Sequence, residues 1–431
     1  MEGLIRAGQR ADTEGRRSVT VGLPTGGKPV AMIRTSPFHA RTSALNETGL
    51  WSHWSGHLAA EKYGLSDKFE YFAVRNAAGI FDTSPLFKYR FSGPGAEGFL
   101  AGVLARDPRT LESGHGMYAI WCDDRGFVVE DGVLLRHTRD EFVLTAAEPN
   151  LAYFQDLVTR RDKVVIDEVS QDWAVLSLQG PRARRILAGV EPSVEALPYF
   201  GITKGKAGGC EVTISRTGYT GDLGYEVWVK AENALPAWDA IWEATRGMGV
   251  LPFGLQALYM TRIEAGLLLL DVDFANSRFA WTDADRATPH ELGLGWMLKG
   301  VETDDRAFIG RDAIRRELAT KSSRFRTTGI VVDWRDWDRI HDEAGLIPPK
   351  DHTPVQEEMF LYDADGEQVG YATSFMYSPV LQRHIGIGRV PVESAKAGSR
   401  VYLEVPVSHR YIHVAAATAR MPLYNPERRT A

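Results

Sequence analysis

From residue 328 onward the chain is a succession of short alternating runs, TGIVVDW, EMFLYD, GEQVGYATS, HIGIGRV, RVYLEVP and YIHVAAATA. Side chains two apart share one face of a strand, and the runs are separated by turn-forming residues. Six short strands of this kind predict a small closed β domain over residues 328–425. Upstream the pattern changes. Strand-like runs such as FKYRFSG (Phe87 to Gly93), EFVLTAA and DWAVLSLQG alternate with helix-like stretches at Ala96 to Leu104, Pro181 to Leu187, Ala231 to Thr245 and Leu255 to Gly266. Such alternation predicts an α+β region with antiparallel sheets over residues 41–320. The polar stretch Lys321 to Thr327 reads as the linker, and residues 1–40, with Arg6, Arg10, Arg16 and Arg17, as an N-terminal arm.

Composition narrows the function classes. At 431 residues the chain is long enough for two or three domains. Its net charge of −6 and the lack of basic clusters interleaved with aromatics argue against nucleic acid as a partner. Two distant cysteines, Cys122 and Cys210, exclude a disulfide framework, and the histidines form no HxH or HExxH pattern, so no metal is expected. No apolar run approaches the ~18 to 20 residues that span a bilayer, and the N-terminus lacks a secretion signal, so no membrane partner and a cytoplasmic location are expected. GITKGKAGG (Gly201 to Gly209) lacks the spacing of a phosphate loop, and no GxGxxG supports a dinucleotide.

The chemistry concentrates in SRTGYTGDLGYEVWVK (Ser215 to Lys230), where Gly218, Gly221 and Gly224 open a turn between two strand patterns. Glu226 projects beside Trp228, with Tyr225 and Val227 on the opposite face. A carboxylate there can accept two parallel N–H donors from the 2-amino-4-oxo edge of a pterin, as it would from guanidinium. The same residues also fit a solvated strand glutamate beside a packed tryptophan. Further on, Arg262 in FGLQALYMTRIEAGLLLL (Phe253 to Leu270) leans towards the apolar face of a helix, where it requires a partner: Glu264, Glu226 or a ligand anion.

Taken together, the motifs resemble the aminomethyltransferase family, the T protein of glycine cleavage and its relatives. EYFAVRNAAGIFDTSPL (Glu70 to Leu86) is similar to the family's N-terminal signature, LSLQGPRARRIL (Leu176 to Leu187) to its central one, and SRTGYTGDLGYEV to its folate hairpin. TRIEAGLLL, TPHELGLGWMLKG, FIGRDAI, GYATSFMYSPVLQRHIGIGRV (Gly370 to Val390) and MPLYNPERR follow in the family's order, so the resemblance spans residues 45–429. It implies a three-domain cloverleaf, two mixed antiparallel-sheet α+β domains plus a C-terminal jelly-roll-like β-barrel around a central folate cavity. Tetrahydrofolate is the cofactor it implies. The pterin-binding glutamate falls on Glu226, the hairpin tyrosine on Tyr219, the folate-contacting arginine on Arg262 and a tyrosine before the catalytic strand on Tyr118. The acidic pair of that strand falls on Glu130 and Asp131. His290 and Trp296 lie in the segment matching the rim of the folate cavity, His290 as a proton donor and Trp296 among the folate contacts.

Three departures point away from glycine cleavage itself. Glu130 stands where the family has aspartate, Thr145 where it has asparagine, and the loop Asp271 to Glu291 is longer and more aromatic. The reading favoured from these is methyl transfer from a small O-, S- or N-methylated donor to N5 of tetrahydrofolate. An onium donor asks for an aromatic cage, for which Trp121, Phe279, Trp281 and Trp296 are the candidate rings. A methyl ether asks for a donor at its leaving oxygen, for which Tyr118, His115 and His290 are available. The alternative is aminomethyl transfer, which brings in a lipoyl carrier protein as partner. A non-enzymatic folate-binding relative would carry a KGCYxGQE cysteine that KGVETDDRAFIGRDA lacks.

Overall fold

The computed structural model describes residues 34–431, so most of the expected N-terminal arm lies outside the described residues. Residues 34–40, counted with that arm, belong to the folded body. Arg34 bridges to His57, and Phe38 is buried against Trp238.

Two antiparallel sheets form the first two lobes. The six-stranded sheet runs in the order Ile202–Ala207, Cys210–Ser215, Gly224–Lys230, Trp173–Gln179, Ala78–Asp82, Val250–Pro252, with only the last pair parallel. Tyr225, Val227, Leu176 and Leu178 face the helices Ala183–Ala188 and Ala234–Ala244 and pack with Ile186, Leu187 and Trp238. The glycines of the expected hairpin have a steric reason: a Cβ on Gly218 or Gly224 would lie 2.0 Å from the Gln179 carboxamide.

The five-stranded sheet has the order His115–Cys122, Val128–Thr138, Glu141–Ala146, Phe87–Ser92, Val165–Glu168. Its Phe91, Met117, Trp121, Leu134 and Phe142 cover the helix Ala96–Val103 with Phe99 and Leu100. The opposite faces of the two sheets meet each other. Leu135 and Val143, with Val133 beside them, pack against Val175 and Trp228. Trp228 therefore leaves the helix-side core, as alternation requires.

Between these lobes and the third runs the helix Leu255–Ala265, buried along almost its whole length, which explains why it has no polar face. It packs with the helix Asp67–Asn76 and with Met376, Ile385 and Ile387 of the C-terminal lobe. That lobe is a closed six-stranded barrel: Arg326–Val332, Arg383–Val390, Gln368–Ser378, Met359–Tyr362, Arg400–Val407, Arg410–Ala419, and back to the first strand. All six expected strands are present. An unexpected helix, Trp334–Glu343, lies against it through Trp337 and Ile340.

Candidate functional site

The meeting faces of the two sheets carry the polar residues that the hydrophobic contacts between the sheets leave uncovered. On the six-stranded sheet these are Glu226 and Ser177, which are cross-strand partners. On the five-stranded sheet they are Tyr118, Asp131, Thr145 and Lys88. Asp131 alternates with Val133 and Leu135, and Lys88 pairs with Thr145. Tyr118, Asp131, Val133, Tyr219, Glu226 and Tyr259 are all half-buried although they sit in the middle of the molecule, so they line a space that solvent reaches.

Glu226 accepts a hydrogen bond from Thr217 through Oε2 at 2.5 Å, and Thr217 in turn is hydrogen-bonded to Ser215. Its Oε1 has no protein donor among the described residues. Burial pushes the carboxyl above its ordinary value, while the Thr217 hydroxyl and the Lys88 ammonium hold it down. A planar ligand edge with two parallel N–H groups supplies the partners this carboxylate lacks, so the residues present fit a pterin.

Asp131 accepts a hydrogen bond from the Tyr118 hydroxyl. Burial pushes its carboxyl up to about 6; the Tyr118 hydroxyl and its own backbone N–H oppose the rise, and Asp273 adds to it. Tyr118 is held well above the ordinary phenol value, first by burial and then by Asp131. Tyr219, in the turn before the Glu226 strand, feels the charges of Asp131, Asp273 and Arg262, and donates to the Leu268 carbonyl. Tyr118, Asp131 and Tyr219 are thus brought to one place, and Glu226 lies on the sheet face that meets theirs. Gly132 makes this geometry possible, since a Cβ there would meet the Thr145 carbonyl oxygen at 1.9 Å. Thr145 also accepts from the Val133 N–H, tying the site strand to its neighbour.

Glu130 stands apart from the cluster, which corrects the expectation that it takes the place of a catalytic aspartate. Glu130 pairs with Trp121 across the two strands and alternates with Asp131, so it turns to the helix side with Trp121. It is fully buried there and accepts from the backbone N–H groups of Ala147 and Glu148 and from the Asn150 amide. Burial pushes its carboxyl up to about 8 against these three donors.

Arg262 is corrected as well. It is fully buried, and its partner is none of those expected: it pairs with Asp273 and donates to Ser374 at 2.7 Å. Glu264 is instead committed to Arg75, Tyr71 and Ser378. Arg262 therefore acts behind Tyr219, with its charge answered by protein groups.

His290 and Trp296 make no hydrogen bond with these groups and line a surface groove of about 490 Å³ with Lys299 and Arg326; Arg106, over the Trp296 ring, donates to the Tyr118 carbonyl at 3.0 Å. His290 is hydrogen-bonded to Ser323 at 2.9 Å, and burial and Arg326 hold its pKa below the ordinary value. The rings named for a cage are scattered. Trp121 is core, and Phe279 and Trp281 stand on the outside of the long loop, Trp281 97 % exposed. The start of that loop is anchored by buried Asp273 and Phe274.

Lys88, Thr217 and Asp273 were missed by sequence reasoning. Lys88 falls between Phe87 and Tyr89 in a run whose alternation reads as solvated on its side, and only the packing of sheet on sheet reveals its burial. Asp273 lies in a loop without periodicity. Among the described residues no cluster of His, Cys, Asp and Glu could hold a metal ion, and no helix is long and apolar enough to cross a membrane.

Comparison with known proteins agrees with this architecture. The family model described as the GCVT N-terminal domain matches residues 44–301, and that of the glycine cleavage T-protein C-terminal barrel domain matches residues 344–425. An aminomethyltransferase of Halothermothrix orenii is 31% identical over 342 residues, 78% of this chain and 86% of that protein. The heme-dependent oxidative N-demethylase gamma subunit of Ectopseudomonas mendocina is 32% identical over 400 residues, 90% of this chain and 97% of that protein. The crystal structure of the glycine cleavage system aminomethyltransferase T of Bartonella henselae shares the fold with a TM-score of 0.75 at 22% identity, covering 91% of this chain and 98% of that one. The chain belongs to the glycine cleavage T-protein family of one-carbon transferases.

Proposed function

We propose that the protein transfers a one-carbon unit at the formaldehyde level, carried on the nitrogen of a small amine, to tetrahydrofolate. The observation that carries this reading is Asp131, a carboxylate poised at about 6 and gripped by Tyr118, on the sheet face that meets the one bearing Glu226. Each donor class asks for different groups. An onium donor asks for a cage of rings and no base, and the candidate rings lie apart. An ether asks for a donor at its leaving oxygen; the Tyr118 hydroxyl is already given to Asp131, His115 shares the helix-side face of its strand with Met117, and His290 lines the groove with Lys299 and Arg326. A carbon moving from one nitrogen to another sheds protons from the accepting nitrogens, and a carboxylate titrating near neutrality takes them.

Tetrahydrofolate, when bound, supplies the two nitrogens that accept the carbon. Glu226 holds the flat edge of the pterin and so fixes its distance from Asp131. Asp131 takes a proton at its carboxylate, and Tyr118 keeps that carboxylate aimed. For a hydroxymethylamine donor the balance closes: the carbon loses its bonds to the amine nitrogen and to oxygen, gains two to folate nitrogens, and the two displaced protons leave on the amine and on water. Oxidative N-demethylation leaves carbon at this level on nitrogen, so the name of the Ectopseudomonas mendocina relative supports the reading. The Halothermothrix orenii relative, named an aminomethyltransferase, supports the same oxidation level on a different carrier.

The test offers the chain tetrahydrofolate with hydroxymethylamines, aminomethyl thioethers, methoxyaromatics and sulfonium compounds, and identifies products by mass spectrometry. 5,10-Methylenetetrahydrofolate from the nitrogen donors, formed faster than in the uncatalysed reaction, is expected. 5-Methyltetrahydrofolate from an ether or sulfonium donor alone overturns the reading in favour of methyl transfer.

A further inference from the structure

Residues 421–431, which follow the last barrel strand Arg410–Ala419, reach back to the turn over residues 217–223 that carries Tyr219 and leads into the Glu226 strand. Their path is fixed at three points. The Tyr424 N–H donates to the Glu264 carbonyl at 2.8 Å, and the Tyr424 ring lies 4.4 Å from the Arg75 guanidinium. Arg428 grips Asp222 with two parallel bonds, Nε to Oδ1 at 2.7 Å and Nη2 to Oδ2 at 2.8 Å, and its Nη2 also donates to the Tyr424 hydroxyl at 2.7 Å. Arg216 Nη2 donates to the Ala431 main-chain oxygen at 2.5 Å and to the Arg429 carbonyl at 3.3 Å. One segment therefore holds both ends of the turn, Arg216 just before it and Asp222 near its close.

From Asp222 the contacts continue inward without a gap. Buried Arg75 stands 3.6 Å from the Asp222 carboxylate and donates to the Thr220 carbonyl at 2.8 Å. The Thr220 hydroxyl donates to the Gln179 carboxamide oxygen at 3.0 Å, and the Gln179 amide donates to the Thr217 carbonyl at 3.1 Å. The Thr217 hydroxyl donates to Glu226 Oε2 at 2.5 Å, so the place of Thr217 sets where the other carboxylate oxygen points. Gly218 and Gly221 give the turn more backbone freedom than other residues would, and a two-bond grip on its buried carboxylate selects one of the available conformations.

We propose that Arg428 is a positioning residue of the pterin site: clamped on Asp222, it locks the turn so that Thr217 aims the Glu226 carboxylate at a two-donor edge, without touching the ligand itself. The inference rests on the reading of Glu226 as the pterin-binding group. It makes the segment beyond the barrel a working part of a pocket built by the first two lobes.

The experiment titrates the full chain with 5-formyltetrahydrofolate by calorimetry, which returns affinity and number of sites separately. Arg428→Met is expected to bind about tenfold more weakly with the number of sites unchanged. Arg428→Lys keeps the charge but not the fork, so it is expected to fall between that variant and the parent, and it carries the comparison should the methionine variant not fold. In a Thr217→Val background, where Glu226 has already lost its donor, either Arg428 variant is expected to add less than about twofold. A lowered number of sites at parent affinity, or a loss equal in both backgrounds, marks an arginine that only stabilises the fold and overturns the proposal. Parent-like binding of the Arg428 variants, with Glu226→Gln weakened, also overturns it and leaves the pocket reading standing. Unchanged affinity in Glu226→Gln removes the pocket reading and this inference together.

Discussion

At Asp131 and Glu130, adjacent carboxyls on one strand are pushed in the same direction for different purposes. In the proposed reaction Asp131 acts as base only when ionised, so turnover is expected to rise about tenfold per pH unit below 6 and to level off above it. Asp131→Asn should abolish that limb and lower turnover by about 10²-fold or more, with 5-formyltetrahydrofolate affinity within about threefold of the parent. Glu130 is raised by burial to about 8 from an ordinary 4.5. A carboxyl raised in the folded state contributes stability that is whole below its unfolded value and is lost as pH climbs through its folded one. Urea unfolding should therefore show wild-type stability falling between these values, and Glu130→Gln should flatten that part of the profile while leaving turnover within a few-fold. Parent-like sloping stability with abolished turnover would return Glu130 to the chemistry. The acidic pair itself was legible in GFVVEDGVLLR; which member faces the other sheet was not, because alternation separates the two faces of a strand without telling what covers each.

Among the elements, legibility followed periodicity. The six barrel runs alternate cleanly and are strands, and the helices at Ala96–Val103, Ala234–Ala244 and Leu255–Ala265 lie within a few residues of their expected bounds. The helix Trp334–Glu343 was missed because WRDWDRIHDE spends most of its positions on charge, and its apolar side shows only once the barrel stands behind it. Lys88 illustrates the same rule for a strand: alternation tells which residues share a face, but not what covers that face. The site strand Val128–Thr138 depends on one residue without a side chain. Gly132→Ala would drive a methyl into the Thr145 carbonyl, so it is expected to cost about 3 kcal/mol or more and to displace Asp131. Denaturation midpoints and turnover should fall together; an unchanged midpoint would mean that the two strands separate without penalty.

Across the whole molecule, the lobes are tied by charges that no water reaches. Arg262, on the helix between the lobes, meets Asp273, and both reach the barrel strand Gln368–Ser378. Asp273 accepts from Thr373 and Ser374, and Arg262 donates to Ser374. Removing one partner strands the other charge, so Asp273→Ala is expected to cost about 3–5 kcal/mol. The pair Asp273→Leu with Arg262→Met should recover most of that loss in urea unfolding, and an additive result would show the two residues to be uncoupled. Glu264 extends the tie through Ser378 and Arg75. A gene cut at the polar stretch before the barrel would look like a clean excision on paper, yet it would leave this helix with a salt bridge opened to solvent on one side and oil on the other. The third lobe is in that sense the keystone of the first two, and recombination that trades barrels between relatives must carry the matching hydroxyls with it.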